Sequence, residues 1–140
     1  MTATIRHSAV VLFLLCSLPG IAPGREQEPN YALFTGTYSS FTYNAEAGDL
    51  NGVEVHILFT GKGLKAIVQF AEGGPGDVAL VNVTATGTHF HFEMPAGFDP
   101  EGAFDGTVSA KGLDGTFTHK GDDPEHLFLP RARGYWDKPK

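Results

Sequence analysis

The phrase apolar–x–Gly–Thr–apolar recurs three times in this 140-residue chain, at Phe34-Thr35-Gly36-Thr37-Tyr38, Phe104-Asp105-Gly106-Thr107-Val108 and Leu113-Asp114-Gly115-Thr116-Phe117. A looser copy stands at Leu50-Asn51-Gly52-Val53. In a strand, alternate side chains share a face, so the first apolar residue, the Gly and the last apolar residue of each full copy point the same way. A Gly between two large inward residues removes bulk where a strand bends or approaches another backbone closely. Repetition of that device predicts a strongly coiled sheet that closes on itself.

The rest of the pattern agrees with this reading. Beyond position 31, apolar and polar residues alternate between closely spaced turn signals, the rhythm of an all-β sandwich or barrel. Strands are expected over 32–43, 50–60, 64–71, 78–85, 88–94, 103–109, 113–119 and 125–129, the last stopped by Pro130. On the second strand Val53, Val55, Ile57 and Phe59 share a face, and on the fifth Phe90, Phe92 and Met94 do. Short connections imply antiparallel neighbours in meander order. No segment sustains a 3.6-residue apolar period, so little helix is expected. The expected fold class is all-β, a small antiparallel meander β-barrel of about eight strands, with an open sandwich as the alternative.

Positions 1–24 read as a signal peptide: Arg6 and His7 precede a short apolar run, and Ala22-Pro23-Gly24 supplies small residues for cleavage. The run is shorter than the roughly 20 residues that span a bilayer. A retained N-terminal anchor is the alternative. Residues 25–30 form a polar lead-in, 31–131 the barrel domain and 132–140 a tail. Cys16 is the sole cysteine and lies inside the signal, so the mature chain has no disulfide. All sixteen acidic residues but only nine of the ten basic ones follow Gly24, which leaves a charge of −7 with His neutral. That balance argues against nucleic acid or an anionic membrane surface as partner. The expectation is an exported protein, periplasmic or extracellular, with no stable membrane span after cleavage.

The segments Phe104-Asp105-Gly106-Thr107-Val108, Gly112-Leu113-Asp114-Gly115-Thr116-Phe117 and Leu127-Phe128-Leu129-Pro130-Arg131 resemble the C-terminal half of small exported bacterial calycin-like barrels, built in the broad lipocalin manner. Gly36-Thr37-Tyr38 stands where lipocalins carry Gly-x-Trp. The resemblance implies a barrel shape and, by analogy, ligand binding. It also implies that Arg131 or Arg133, after the last strand, packs across the barrel floor.

Three function classes follow. Phe34, Tyr38, Phe70, Phe90, Phe92, Phe104 and Phe117 fall on inward faces and line an apolar ligand pocket if space remains between them. If they fill the interior, the protein is a structural or interaction module acting through its surface or the 95–102 loop, where Phe98 is expected to be exposed. His89 and His91 share a strand face with Glu93, and His56 offers a third nitrogen from another strand, the beginnings of a metal site. Two histidines at that spacing are weak evidence, and the favoured reading of the same row is the solvated face of the strand.

Catalysis has little support. Ser39, Ser40 and Ser109 lack a Gly-x-Ser-x-Gly setting. His119 and His126, beside Asp122, Asp123 and Glu125, read as a solvated acidic turn. Gly73-Gly74-Pro75-Gly76 lacks the Lys and the helix of a phosphate loop, and no cofactor is expected. Gly134-Tyr135-Trp136-Asp137 is read as a plug that buries Trp136 over one barrel end, with an exposed partner anchor as the alternative. The favoured reading is a non-enzymatic barrel that binds a small apolar or amphipathic molecule.

Overall fold

The computed structural model describes residues 30–137. Positions 1–29 and 138–140, which include the expected signal peptide, lie outside the described residues. A helical turn, α1 (Tyr31–Phe34), precedes the strands β1 (Gly36–Ser39), β2 (Thr42–Asn44), β3 (Asp49–Thr60), β4 (Gly63–Ala71) and β5 (Pro75–Thr86). β6 (His89–Glu93), β7 (Gly102–Val108), β8 (Gly112–His119) and β9 (Glu125–Ala132) follow, and the description ends in a 3-10 turn at Tyr135–Asp137.

β1 and β2 lie one after the other along β3, and each strand from β3 to β9 pairs antiparallel with its sequence neighbour. β9 returns to β1 through Thr37↔Ala132 and Tyr38↔Arg131, so the sheet closes. With β1 and β2 taken as one interrupted stave, the fold is a closed eight-stranded antiparallel barrel. The meander expected from the sequence is therefore correct, and the sandwich is not formed.

The alternating pattern fixes which side faces in. Val53, Val55 and Ile57 of β3, Leu64, Ala66 and Val68 of β4, Ala79, Val81 and Val83 of β5, and Phe90 and Phe92 of β6 are buried in one core. Each large apolar side chain so removed from water contributes about 1.5–3 kcal/mol. Stacked rings dominate this core: Phe104 lies 5.2 Å from Phe90 and 5.5 Å from Phe92, centroid to centroid.

The repeated glycine device has a visible purpose. Gly106 and Gly115 face each other across β7 and β8, and a Cβ on either would come within 2.8 Å of the Phe104 ring. The missing side chains are thus filled by a neighbouring aromatic residue. In the first copy the glycine admits a cation instead. Gly36 has φ +136°, and a Cβ there would lie 2.6 Å from Arg131 Nη1.

Several local expectations need correction. Residues 32–35 are not strand: α1 covers Tyr31–Phe34, because its Leu33 carbonyl accepts from Arg131 and its Phe34 carbonyl from Tyr38, bonds that an extended chain would not place there. The expected first strand is also broken at Ser40 and Phe41, where the chain leaves β9 and continues along β3. β5 starts at Pro75 rather than Val78. β9 runs through Pro130, because the Arg131 N–H faces Lys111 and the proline nitrogen therefore faces the side on which β1 has run out. Phe59, at the end of its row on β3, is exposed rather than buried with Val53, Val55 and Ile57, and stacks on Tyr31 at 4.4 Å.

Candidate functional site: a sealed floor and an open mouth

A meander sends its connections alternately to the two ends of the barrel. The tight β3–β4, β5–β6 and β7–β8 turns lie at one end together with α1. Phe34 enters the barrel there, fully buried, with its ring edge-on to Phe90 at 6.4 Å. The Tyr38 hydroxyl donates to Phe34 O at 2.7 Å, and Arg131 Nη2 donates to that hydroxyl at 2.6 Å. Arg131 also donates to Thr35 O at 2.8 Å and to Leu33 O, and its guanidinium carbon stands 4.8 Å from the Tyr38 ring centroid. Burial pushes the Tyr38 phenol above its ordinary pKa, with the adjacent Arg131 opposing. This end is a hydrogen-bonded floor, and Arg131 is the arginine that crosses it.

The β4–β5, β6–β7 and β8–β9 connections, of which the last two are the longer, gather at the other end around a cavity of about 1150 Å³. Val53, Phe70, Ala71, Phe98 and Leu127 supply its apolar wall. Phe70 is backed edge-on by Phe117 at 5.3 Å, and Phe117 in turn meets the His119 ring at 4.7 Å. Phe98 is partly buried against the core rather than exposed as expected, since the β6–β7 loop folds inward. Lys120 holds that loop in place: its N–H bonds Glu101 O at 2.9 Å and its Nζ bonds Glu101 Oε1 at 2.9 Å. The hydrogen bond from Lys120 lowers the Glu101 carboxyl pKa below its ordinary value. Glu72, Asp99, Asp122 and Glu125 complete the rim. The hydroxyl in the wall, that of Ser40, is engaged with both the N–H and the carbonyl of Val53.

Of the seven aromatic residues singled out as pocket lining, Phe70 lines this cavity. Phe34, Tyr38, Phe90, Phe92, Phe104 and Phe117 are buried in the core below it. Phe98, Leu127 and the rim carboxylates were missed from sequence. The alternation of connection ends was the available signal, because it places the three polar connections together.

His56, His89, His91 and His126 are dispersed over the outer wall, whereas His119 lines the mouth. His91 lies 3.4 Å from Asp105 and 3.7 Å from Glu93, while His56 is bonded to Thr37 Oγ1 at 2.7 Å with β4 and β5 intervening before β6. His89 pairs with Thr107 on the same outer face. Among the described residues no group of three or more His, Cys, Asp or Glu is placed to hold a metal ion. His119 faces Glu125 at 3.5 Å and His126 faces Asp114 at 2.7 Å.

Trp136 is not a plug. It is 59% exposed on the outside wall, where its Nε1 donates to Gln69 Oε1 at 3.1 Å. Tyr135 covers a satellite cluster of Phe41, Leu50 and Ala71, and its N–H donates to Glu54 Oε2 at 2.8 Å. The role expected of the tail at the barrel end is filled by α1, because Phe34 and Arg131 occupy the floor. Among the described residues no helix is long and apolar enough to cross a membrane. Comparison with protein-family models, curated proteins and solved structures finds no match.

Proposed function

We propose that this protein is an exported, non-enzymatic calycin-like barrel that takes a small apolar or amphipathic molecule at its mouth. The observation that carries the reading is the asymmetry of the two ends: one is closed by α1 and Arg131, the other opens on a cavity with an aromatic wall and a polar rim. Small-molecule sites combine these elements, in volumes of about 300–1,000 Å³. The floor supports the resemblance to calycin-like barrels in one respect: Arg131, one of the two arginines expected there, packs across it beside Gly36 and Tyr38. The occupant buries its apolar part against Phe70, Phe98 and Leu127 and leaves its polar part at the rim. Titration with neutral N-phenylnaphthylamine tests this. Saturable uptake at one probe per chain, weakened in Phe70→Ala, supports the proposal. Non-saturating or absent fluorescence enhancement removes it.

A second reading, a surface-acting module with a filled interior, is favoured by one observation. Ile67 and Leu80 are paired outward-facing residues, Val78 is paired with Gln69, and Trp136 bonds that same Gln69, so four exposed apolar side chains share one outer wall. A sedimentation profile that shows a stable dimer, abolished by Leu80→Lys, would favour this alternative.

A further inference from the structure

The mouth is unequal in charge as well as in shape. Five carboxylates, those of Glu72, Asp99, Glu101, Asp122 and Glu125, face one lysine around it. The lysine, Lys120, is already bonded to Glu101, and His119, which also lines the mouth, lies 3.5 Å from Glu125. The other four carboxylates stand around a wall that includes the aromatic residues Phe70 and Phe98. Carboxylates at the entrance attract a cation over several ångströms and repel an anionic headgroup. Aromatic faces hold organic cations, which shed water more readily than a bare metal ion. An apolar body then has Leu127 and Val53 to rest on.

We infer that the occupant of the mouth is an organic cation, a molecule with a quaternary or protonated amine joined to an apolar body, and that fatty-acid-like anions are rejected. This rests on the mouth being a binding site, the reading proposed above. It adds the sign of the ligand's charge, which the barrel shape alone does not dictate. The wall is supplied by β4, β9 and the β6–β7 loop, and the charge by the β4–β5, β6–β7 and β8–β9 connections together with Glu125 at the start of β9.

The test uses three dansylated undecyl chains that differ only at the far end: trimethylammonium, hydroxyl and carboxylate. The expected result is that the trimethylammonium chain binds about tenfold or more tighter than the carboxylate chain at low salt, with the hydroxyl chain between them. Raising ionic strength should shrink the gap, because the rim is exposed. The combined variant Glu72→Gln, Asp99→Asn, Asp122→Asn and Glu125→Gln should bring the two charged chains to nearly equal affinity. Wild-type comparison alone is decisive if that variant misfolds. Equal binding of all three chains, or preference for the carboxylate, overturns the inference while leaving the mouth as a site. Failure of all three to bind overturns the site reading and this inference together.

Discussion

The two ends of the barrel are made from the same strands yet solve opposite problems. At the floor, every group is committed: Phe34 fills the bore, and Arg131 satisfies the carbonyls of Leu33 and Thr35 as well as the Tyr38 hydroxyl. At the mouth the β6–β7 and β8–β9 loops are longer, the aromatic residues Phe70 and Phe98 are only partly covered, and among the described residues one lysine stands among five carboxylates, with His119 beside Glu125. The contrast teaches where stability and where adaptability reside. A fully paired end contributes to folding, and an under-packed end retains exposed apolar surface that a guest can cover.

That division is easiest to break by truncating one aromatic at each end. Phe34→Ala should cost about 3–5 kcal/mol in urea unfolding, the usual loss for an aromatic removed from a packed core. Phe98→Ala should cost about 1 kcal/mol, since its ring is only partly buried, and should reduce probe uptake. Equal losses at the two ends would contradict the asymmetry. Arg131→Met keeps the aliphatic stem but removes the donors to α1, and a loss of about 1.5–3 kcal/mol is expected. Exchange of the Leu33, Phe34 and Thr35 amides should accelerate in that variant, with little change in the β6–β7 loop.

A smaller effect comes from pH. The Tyr38 phenol is held above its ordinary value of 10.0, chiefly by burial. Its neutral form is therefore favoured in the folded state, and its contribution is complete below the unfolded pKa. As pH rises past about 10 the unfolded chain ionises first, so stability falls. The urea midpoint should drop between about pH 9 and pH 11, and part of that slope should vanish in Tyr38→Phe. An unchanged slope in the variant would show that Tyr38 is not the group responsible.

The barrel was legible because period-2 alternation and the spacing of turn residues are local signals. Val53, Val55 and Ile57, or Phe90 and Phe92, reveal their face within five residues. Closure was legible in the glycine phrase, since Gly106 and Gly115 exist to let Phe104 lie over them. What was not legible depended on partners far away in the chain. α1 forms over a stretch rich in strand-favouring residues because Arg131, about a hundred positions later, bonds its carbonyls. Pro130 sits inside β9 because β1 ends opposite it, a fact of register rather than of composition. The inward turn of Phe98 depends on Lys120 anchoring Glu101. The site shared this difficulty: aromatic residues predicted to surround a guest mostly surround one another, and the cavity is bordered by loops whose common location follows from topology.

The central claim is that one end of this barrel is built to stay shut and the other to receive a guest. Amide chemical shifts recorded while N-phenylnaphthylamine is added test it most directly. The account predicts saturable changes confined to residues 40, 52–53, 70–76, 97–101 and 119–127, the walls of the mouth. Changes centred on Tyr31–Phe34 and Arg131, or on the outer wall at Ile67 and Leu80, would contradict it.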